Sequence, residues 1–173
     1  MLGQLRRFLE ILLAIFTVSL LLILTGVVVI AVVYRKLGAS LSWYDEIAVI
    51  LLAWITYYGS ALASLKRAHI GFPNLVQAMP APLRLLAVLL AELAVIAFFL
   101  LLAWTGWWVM EVLEGDTLVS LTWVPTSFTQ SVIPVASLLV VLAQLLTMPE
   151  MLRRALHGVR LGDPHGPAAE EHP

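Results

Sequence analysis

The chain has 173 residues, of which 61% are hydrophobic and only 12% charged, with a mean hydropathy of +0.98. Soluble domains average roughly 25% charged residues, and a single domain of this length has no interior large enough for so much apolar surface. The composition is that of an integral membrane protein. The net charge of −1 points to no partner and no nucleic acid, and the absence of cysteine excludes disulfides, thiol redox chemistry and thiolate metal sites.

Long uncharged runs decide for helices. Met1 to Arg7 forms a short head with Arg6 and Arg7, and Ile11 to Tyr34 then carries no charge over 24 residues. At about 1.5 Å per residue such a run covers roughly 36 Å, enough to cross a core of about 30 Å with tilt. A secretory signal has an apolar run of only about 7–15 residues followed by small residues at a cleavage site. This run is longer and ends in Val-Val-Tyr, so the expectation is an uncleaved first span at about 8–34, within which Gly26 is tolerable. Arg35 to Glu46 reads as a polar connection.

The second span is expected at 47–65, fenced by Asp45-Glu46 before it and Lys66-Arg67 after it. Gly59/Ala63 and Ser60/Ser64 place small residues four apart on adjacent stripes. Such spacing lets another helix approach closely, although small residues are also simply common in membrane helices. The middle stretch from Lys66 to Arg84 holds His69-Ile70 and begins and ends with cations. The third span is expected at 85–110 with one charge, Glu92. Glu111 to Pro125 is an acidic connection, and the fourth span is expected at 126–148 with Pro134 inside it. Residues 1–156 thus make one four-span domain. The tail 157–173 has too little apolar content to pack and is expected to be disordered.

Eight of the ten Lys and Arg residues lie in the head, the middle stretch and the tail. By the positive-inside rule both termini and the middle stretch are cytoplasmic. Trp43, Trp104, Trp107, Trp108 and Trp123 all fall at the opposite boundary, where aromatic rings favour the headgroup layer. Only Trp54 lies deeper.

Glu92 is the most costly residue in the chain. A span starting near Leu85 puts it roughly 10 Å inside, where a carboxylate costs about 2.5–3.5 kcal/mol and must be protonated, paired or turned toward protein. One reading is a proton or cation relay. The other, favoured because no second intramembrane acid or base stands ready, is a contact with a neighbouring helix, through Gln144 or another subunit. Glu10 lies beside Arg6 and Arg7 and can reach the interface. Asp45 and Glu46 suit the positive end of the second helix dipole, with Ser42 as the expected N-cap. Their sharper reading is a docking surface for an extracytoplasmic partner. Pro134 lacks an amide hydrogen and should bend the fourth span, with Gln130 and Ser131 placed to satisfy freed carbonyls.

All four histidines lie outside the spans, so a haem-bearing bundle has no axial ligands. No phosphate-binding glycine loop, HExxH motif or catalytic-triad spacing is present, and neither a catalytic residue, a cofactor site nor a metal site is expected. No internal repeat of the kind found in complete secondary transporters is apparent.

The ordered features resemble the small membrane subunit, the DctQ-like component, of tripartite ATP-independent periplasmic (TRAP) transporters. Trp43-Tyr44-Asp45-Glu46 is similar to that family's Trp-x-acid-acid lead-in to the second helix, with Trp54 and Gly59 following. Lys66-Arg67-Ala68-His69-Ile70 is similar to its basic-then-His-Ile signature. Gly115-Asp116-Thr117, Trp123-Val124-Pro125 and Ile133-Pro134 resemble its outer loop and Pro-bearing fourth helix. Gly71-Phe72-Pro73 departs from the family, which often has an acid shortly after His-Ile.

The resemblance implies a non-enzymatic scaffold subunit in the bacterial inner membrane. Its implied partners are a large multi-span permease subunit with the substrate and sodium sites, and a periplasmic binding protein delivering an organic acid. Trp43, Asp45, Glu46, Gly59, Lys66, Arg67, His69, Glu92 and Pro134 become candidate interface or structural residues. Ile70, Phe72, Leu75, Val76 and Met79, with Asn74 on the polar side, suit a short amphipathic interfacial helix. The rival reading is a small self-oligomerising proton-coupled exporter using Glu92 or Glu10.

Overall fold

In hydrocarbon every backbone N–H and C=O must find a partner within its own segment, so long uncharged runs become helices. The structure, a computed structural model, describes residues 2–67 and 79–157. In chain order its helices are α1 (Leu2–Lys36), α2 (Tyr44–Lys66), α3 (Ala81–Val112), the short α4 (Thr126–Gln130) and α5 (Val132–His157). Four segments are long and apolar enough to cross a membrane, α4 and α5 together making the fourth. The expected all-α, four-span class is therefore observed. The expected amphipathic segment after His69 and the tail from residue 158 onward lie outside the described residues.

Local chemistry sets where each helix stops. α1 runs through Arg35 and Lys36, cations that suit a helix C-terminus. It is closed by Gly38 at φ 80°, where Ala39 N–H bonds the Tyr34 carbonyl at 3.0 Å. α3 starts just after Pro80 and has Pro82 in its first turn, where a missing N–H costs nothing. The helices extend past the uncharged runs at both ends. α1 has 35 residues and α3 has 32, about 52 and 48 Å at 1.5 Å per residue, so both exceed a core of about 30 Å. α5 likewise continues through Pro149, beyond the limit at Met148 expected from hydropathy.

The packing order differs from the chain order. α3 lies along α5, α5 along α2, and α2 along α1, while α1 touches α5 only slightly. α5 is therefore central. Half of its most apolar window (50%) is buried, against 11% in each of the other three spans. Leu13, Ala61, Leu65, Val140 and Ala143 form the core where α1, α2 and α5 meet. Most large apolar side chains of α1 and many of α3 face outward, as a lipid or protein surround requires. Antiparallel succession gathers the start of α1, the end of α2, the start of α3 and the end of α5 at one end of the molecule. Arg6, Arg7, Lys66, Arg67, Arg84 and Arg153 make this the basic end.

Pro134 does more than bend the fourth span. The helix is interrupted at Ser131, dividing α4 from α5. Ser131 Oγ donates to the Phe128 carbonyl at 2.7 Å, and Trp54 Nε1 on α2 donates to the Thr129 carbonyl at 2.9 Å. Ser131 Oγ therefore serves the turn at the interruption and not the Gln130 carbonyl that Pro134 leaves without its N–H, and the deep Trp54 supplies a donor there that had no expected partner.

Candidate functional site

The side chain that resolves the problem of Glu92 is Arg67. α2 ends at Lys66, and Arg67 caps it in the left-handed conformation (φ 53°), with its N–H turned back to the Ala63 and Ser64 carbonyls. A left-handed residue without glycine's freedom costs on the order of 1 kcal/mol. The turn aims the guanidinium across to α3 and α5. Both terminal nitrogens bond the Glu92 carboxylate, Nη1 to Oε1 and Nη2 to Oε2, the latter at 3.2 Å. Nε donates to Thr147 Oγ1 at 2.7 Å, and that hydroxyl in turn donates to the Ala143 carbonyl at 2.8 Å. A fork-to-fork pair of this kind is the strongest geometry open to a carboxylate and a guanidinium.

This corrects two expectations. Glu92 does contact a neighbouring helix's end, but through Arg67 and not through Gln144, and Arg67 is not merely a topology-setting cation. Gln144 is buried, and its Oε1 makes no hydrogen bond. Glu92 lies level with the end of α2, whose capping residue it meets. α3 begins at Ala81, and its first turns extend beyond α2. The side chains of Glu92 and Arg67 are 6% and 21% exposed, so the pair is shielded from water.

Two further ties close the same end. Arg6 on α1 bonds Glu150 on α5 at 3.0 Å and the Leu65 carbonyl at 3.2 Å. Lys66 lies 3.4 Å from Glu10. Both pairs are partly solvated and individually weak, but they join the helices that the buried pair does not.

At the opposite end Glu46 organises the acidic connection. Its carboxylate accepts from the backbone N–H groups of Val119 at 3.0 Å and Ser120 at 2.9 Å. Ser120 Oγ donates to the Ser42 carbonyl at 3.2 Å. The connection is folded on itself by a bridge between Thr117 and Pro125 and by Leu118 N–H to the Val124 carbonyl at 3.1 Å. Ser42 is not the N-cap of α2. That position is taken by the half-buried Trp43, which makes no side-chain capping bond. Asp45 is exposed in the first turn, where its charge complements the helix dipole. Glu46→Gln should speed deuterium exchange of the Val119 and Ser120 amides on the order of tenfold, because the carboxamide keeps a single acceptor oxygen, so one charge-assisted bond becomes neutral and the other N–H faces an NH2 donor. Unchanged exchange at both amides would show that the carboxylate does not hold the loop.

Among the stripes Gly59/Ala63 and Ser60/Ser64 that suit a close helix approach, Ser64 is buried, but the tightest glycine lies elsewhere. A Cβ at Gly59 would meet only Thr17 Cγ2, at 4.0 Å. A Cβ at Gly106 on α3 would lie 2.7 Å from Ile133 Cγ2 and 3.0 Å from Pro134 Cδ. The buried Pro134 ring thus packs on a glycine, next to the helix break. Trp54 completes this region, its ring 5.5 Å from Phe128 and 6.3 Å from Tyr58 between centroids.

The candidate residues therefore form separate groups. Arg67, Glu92 and Lys66 gather at the basic end, Trp43, Asp45 and Glu46 at the other, and Pro134 joins Gly106 near the latter. Gly59 lies between α2 and α1, and His69 is outside the described residues. Among the described residues no three histidines or acids are grouped to hold a metal. The arrangement ties helices together and shapes two ends.

No curated protein matched the sequence. The family of tripartite ATP-independent periplasmic transporters, DctQ component, matches over residues 24–154, about three quarters of the chain. The matched region takes in the Glu46-held loop, the Arg67–Glu92 pair, Thr147 and the break at Pro134. The chain belongs to the DctQ family and is the small membrane subunit of a TRAP transporter.

Proposed function

We propose that this subunit is a fixed scaffold in a sodium-coupled importer of an organic acid, in the bacterial inner membrane with both termini cytoplasmic. A large multi-span permease subunit carries the solute and sodium, and a periplasmic binding protein delivers the solute from the side of the Glu46-held loop. The observation that supports this reading best is the commitment of Glu92 to Arg67, with Thr147 on the same guanidinium. A carboxylate held by two bonds from one guanidinium is built to stay in place, which suits a brace between helices. A relay needs a carboxyl that gives up its partner on each cycle. Glu10, the other acid of the exporter reading, faces Lys66.

The test is uptake by reconstituted vesicles. The chain alone should transport no carboxylate, and uptake should appear only with the large subunit, the binding protein and a sodium gradient present. Proton-driven transport by this chain alone, abolished by Glu92→Gln, would establish the exporter reading instead. Cysteines introduced into this cysteine-free chain at Ser42 and Gly162 should label from opposite sides of the membrane. Labelling of both from the periplasm would overturn the orientation.

A further inference from the structure

α1 packs along α2 but hardly meets α5, which leaves a slot between α1 and α5. Leu9, Leu12, Leu13 and Phe16 of α1, Tyr58 of α2 and Leu139 of α5 line it, around a cavity of about 270 Å³. The slot opens toward the surroundings of the spans. On α1 the lining residues repeat at helical spacing, and Arg6 continues the same stripe one turn before Leu9. The slot therefore points toward the basic end, where Arg6, one turn beyond the lining Leu9, is tied to Glu150 and Lys66 stands beside Glu10.

Two features identify the occupant. First, every lining side chain is bulky, so no small residue lets another helix backbone approach, as helix packing in lipid requires. The lining covers only about two turns of α1, roughly 10 Å, whereas a partner helix would run the length of the span. At about 30 Å³ per water-sized group, the cavity holds about nine methylenes of a flexible chain. Second, the end of the molecule beside the slot is net cationic. Among the described residues the basic end sets Arg6, Arg7, Lys66, Arg67, Arg84 and Arg153 against Glu10, Glu92 and Glu150. Arg6 uses two of its nitrogens on Glu150 and Leu65, leaving Nε–H for a further acceptor.

We propose that this slot is a binding site for an anionic phospholipid of the leaflet at the basic end. One acyl chain lies against Leu12 and Phe16, and the phosphate lies beside Arg6 and Lys66. Basic pockets between membrane helices hold anionic headgroups by the same combination.

The full-length chain in detergent micelles, given equal amounts of phosphatidylglycerol and phosphatidylcholine with identical acyl chains, tests the site by intact-complex mass spectrometry. One phosphatidylglycerol should be retained about tenfold in preference to phosphatidylcholine. Leu12→Trp fills the slot from an exposed position (53% exposed), where the fold tolerates a larger ring, and should remove the retained lipid. Arg6→Gln should lower the preference for the anionic headgroup about fivefold. Equal retention of the two lipids overturns the charge assignment. Retention that survives Leu12→Trp overturns the site. The proposal also fails if Leu12→Trp leaves the lipid in place while abolishing co-purification with the large subunit, because the slot then belongs to a protein partner. None of these readouts depends on transport.

Discussion

Arg67→Met should cost about 3–5 kcal/mol of stability, because it leaves the Glu92 carboxylate buried without its charge partner. Glu92 is 6% exposed, so water offers little compensation. Glu92→Leu alone should be costly for the mirror reason, a guanidinium aimed into protein with only Thr147 to accept from it. The two together should recover most of the loss, since two apolar side chains of similar volume replace a pair that itself pays for desolvation. The measurement is a double-mutant cycle of unfolding in mixed micelles. A single-mutant loss under about 1 kcal/mol, the range of exposed ion pairs, would mean that the pair is solvated and does not brace the helices. Strict additivity of the two substitutions would mean that they do not interact.

Gly106→Ala carries the second large effect. The added methyl would lie 2.7 Å from Ile133 Cγ2 and 3.0 Å from the Pro134 ring, and the ring is held by its own backbone and cannot swing away. Overpacking of this kind costs about 1–3 kcal/mol. The displaced element would be the start of α5, so the loss should come with a shift of Trp54 fluorescence as its bond to the Thr129 carbonyl is strained. Gly59→Ala is the control, with its nearest neighbour at 4.0 Å and an expected change within about 0.5 kcal/mol. Equal effects at the two glycines would contradict the close approach at α3 and α5.

How far the sequence could be read follows from which properties are local. Span number and helix class follow from hydropathy, a property of short segments, whereas the bend expected at Pro134 is an interruption three residues earlier, at Ser131. The family resemblance rested on motifs in order, and the DctQ match over residues 24–154 agrees with it. Partnerships were harder. Arg67 was legible as a cation at a span boundary, which is also what any topology-setting residue looks like. Its left-handed cap is what turns it inward, and nothing in the residue type announces that conformation. A usable signal did exist: an acid inside one span, a cation one residue beyond the preceding helix, and a side chain long enough to join them.

Gly106 was missed for a related reason. Leu102 and Met110, four residues either side, are large, so no small-residue repeat marks it. Gly59 has the repeat but only a loose contact. Repeats report which faces are smooth, whereas closeness depends on the neighbouring helix, here on a proline ring. Ser42 is not the N-cap because α2 begins at Tyr44 with Trp43 in the capping position, and the Ser42 carbonyl accepts from Ser120 Oγ instead.

The central place of α5 has a consequence for how the protein is made. A chain leaving the ribosome delivers α1, α2 and α3 before the helix that completes their core. Arg67 and Glu92, 25 residues apart, can meet as soon as α3 enters the membrane, while Thr147 is 80 residues from Arg67 and arrives with the last span. Until then Ala61, Ser64 and Leu65, all fully or almost fully buried in the finished structure, have no α5 to cover them. The early pair can hold α2 and α3 in register as a waiting cleft. A chain that lacks the residues from 132 onward leaves that cleft open, and α5 closes it.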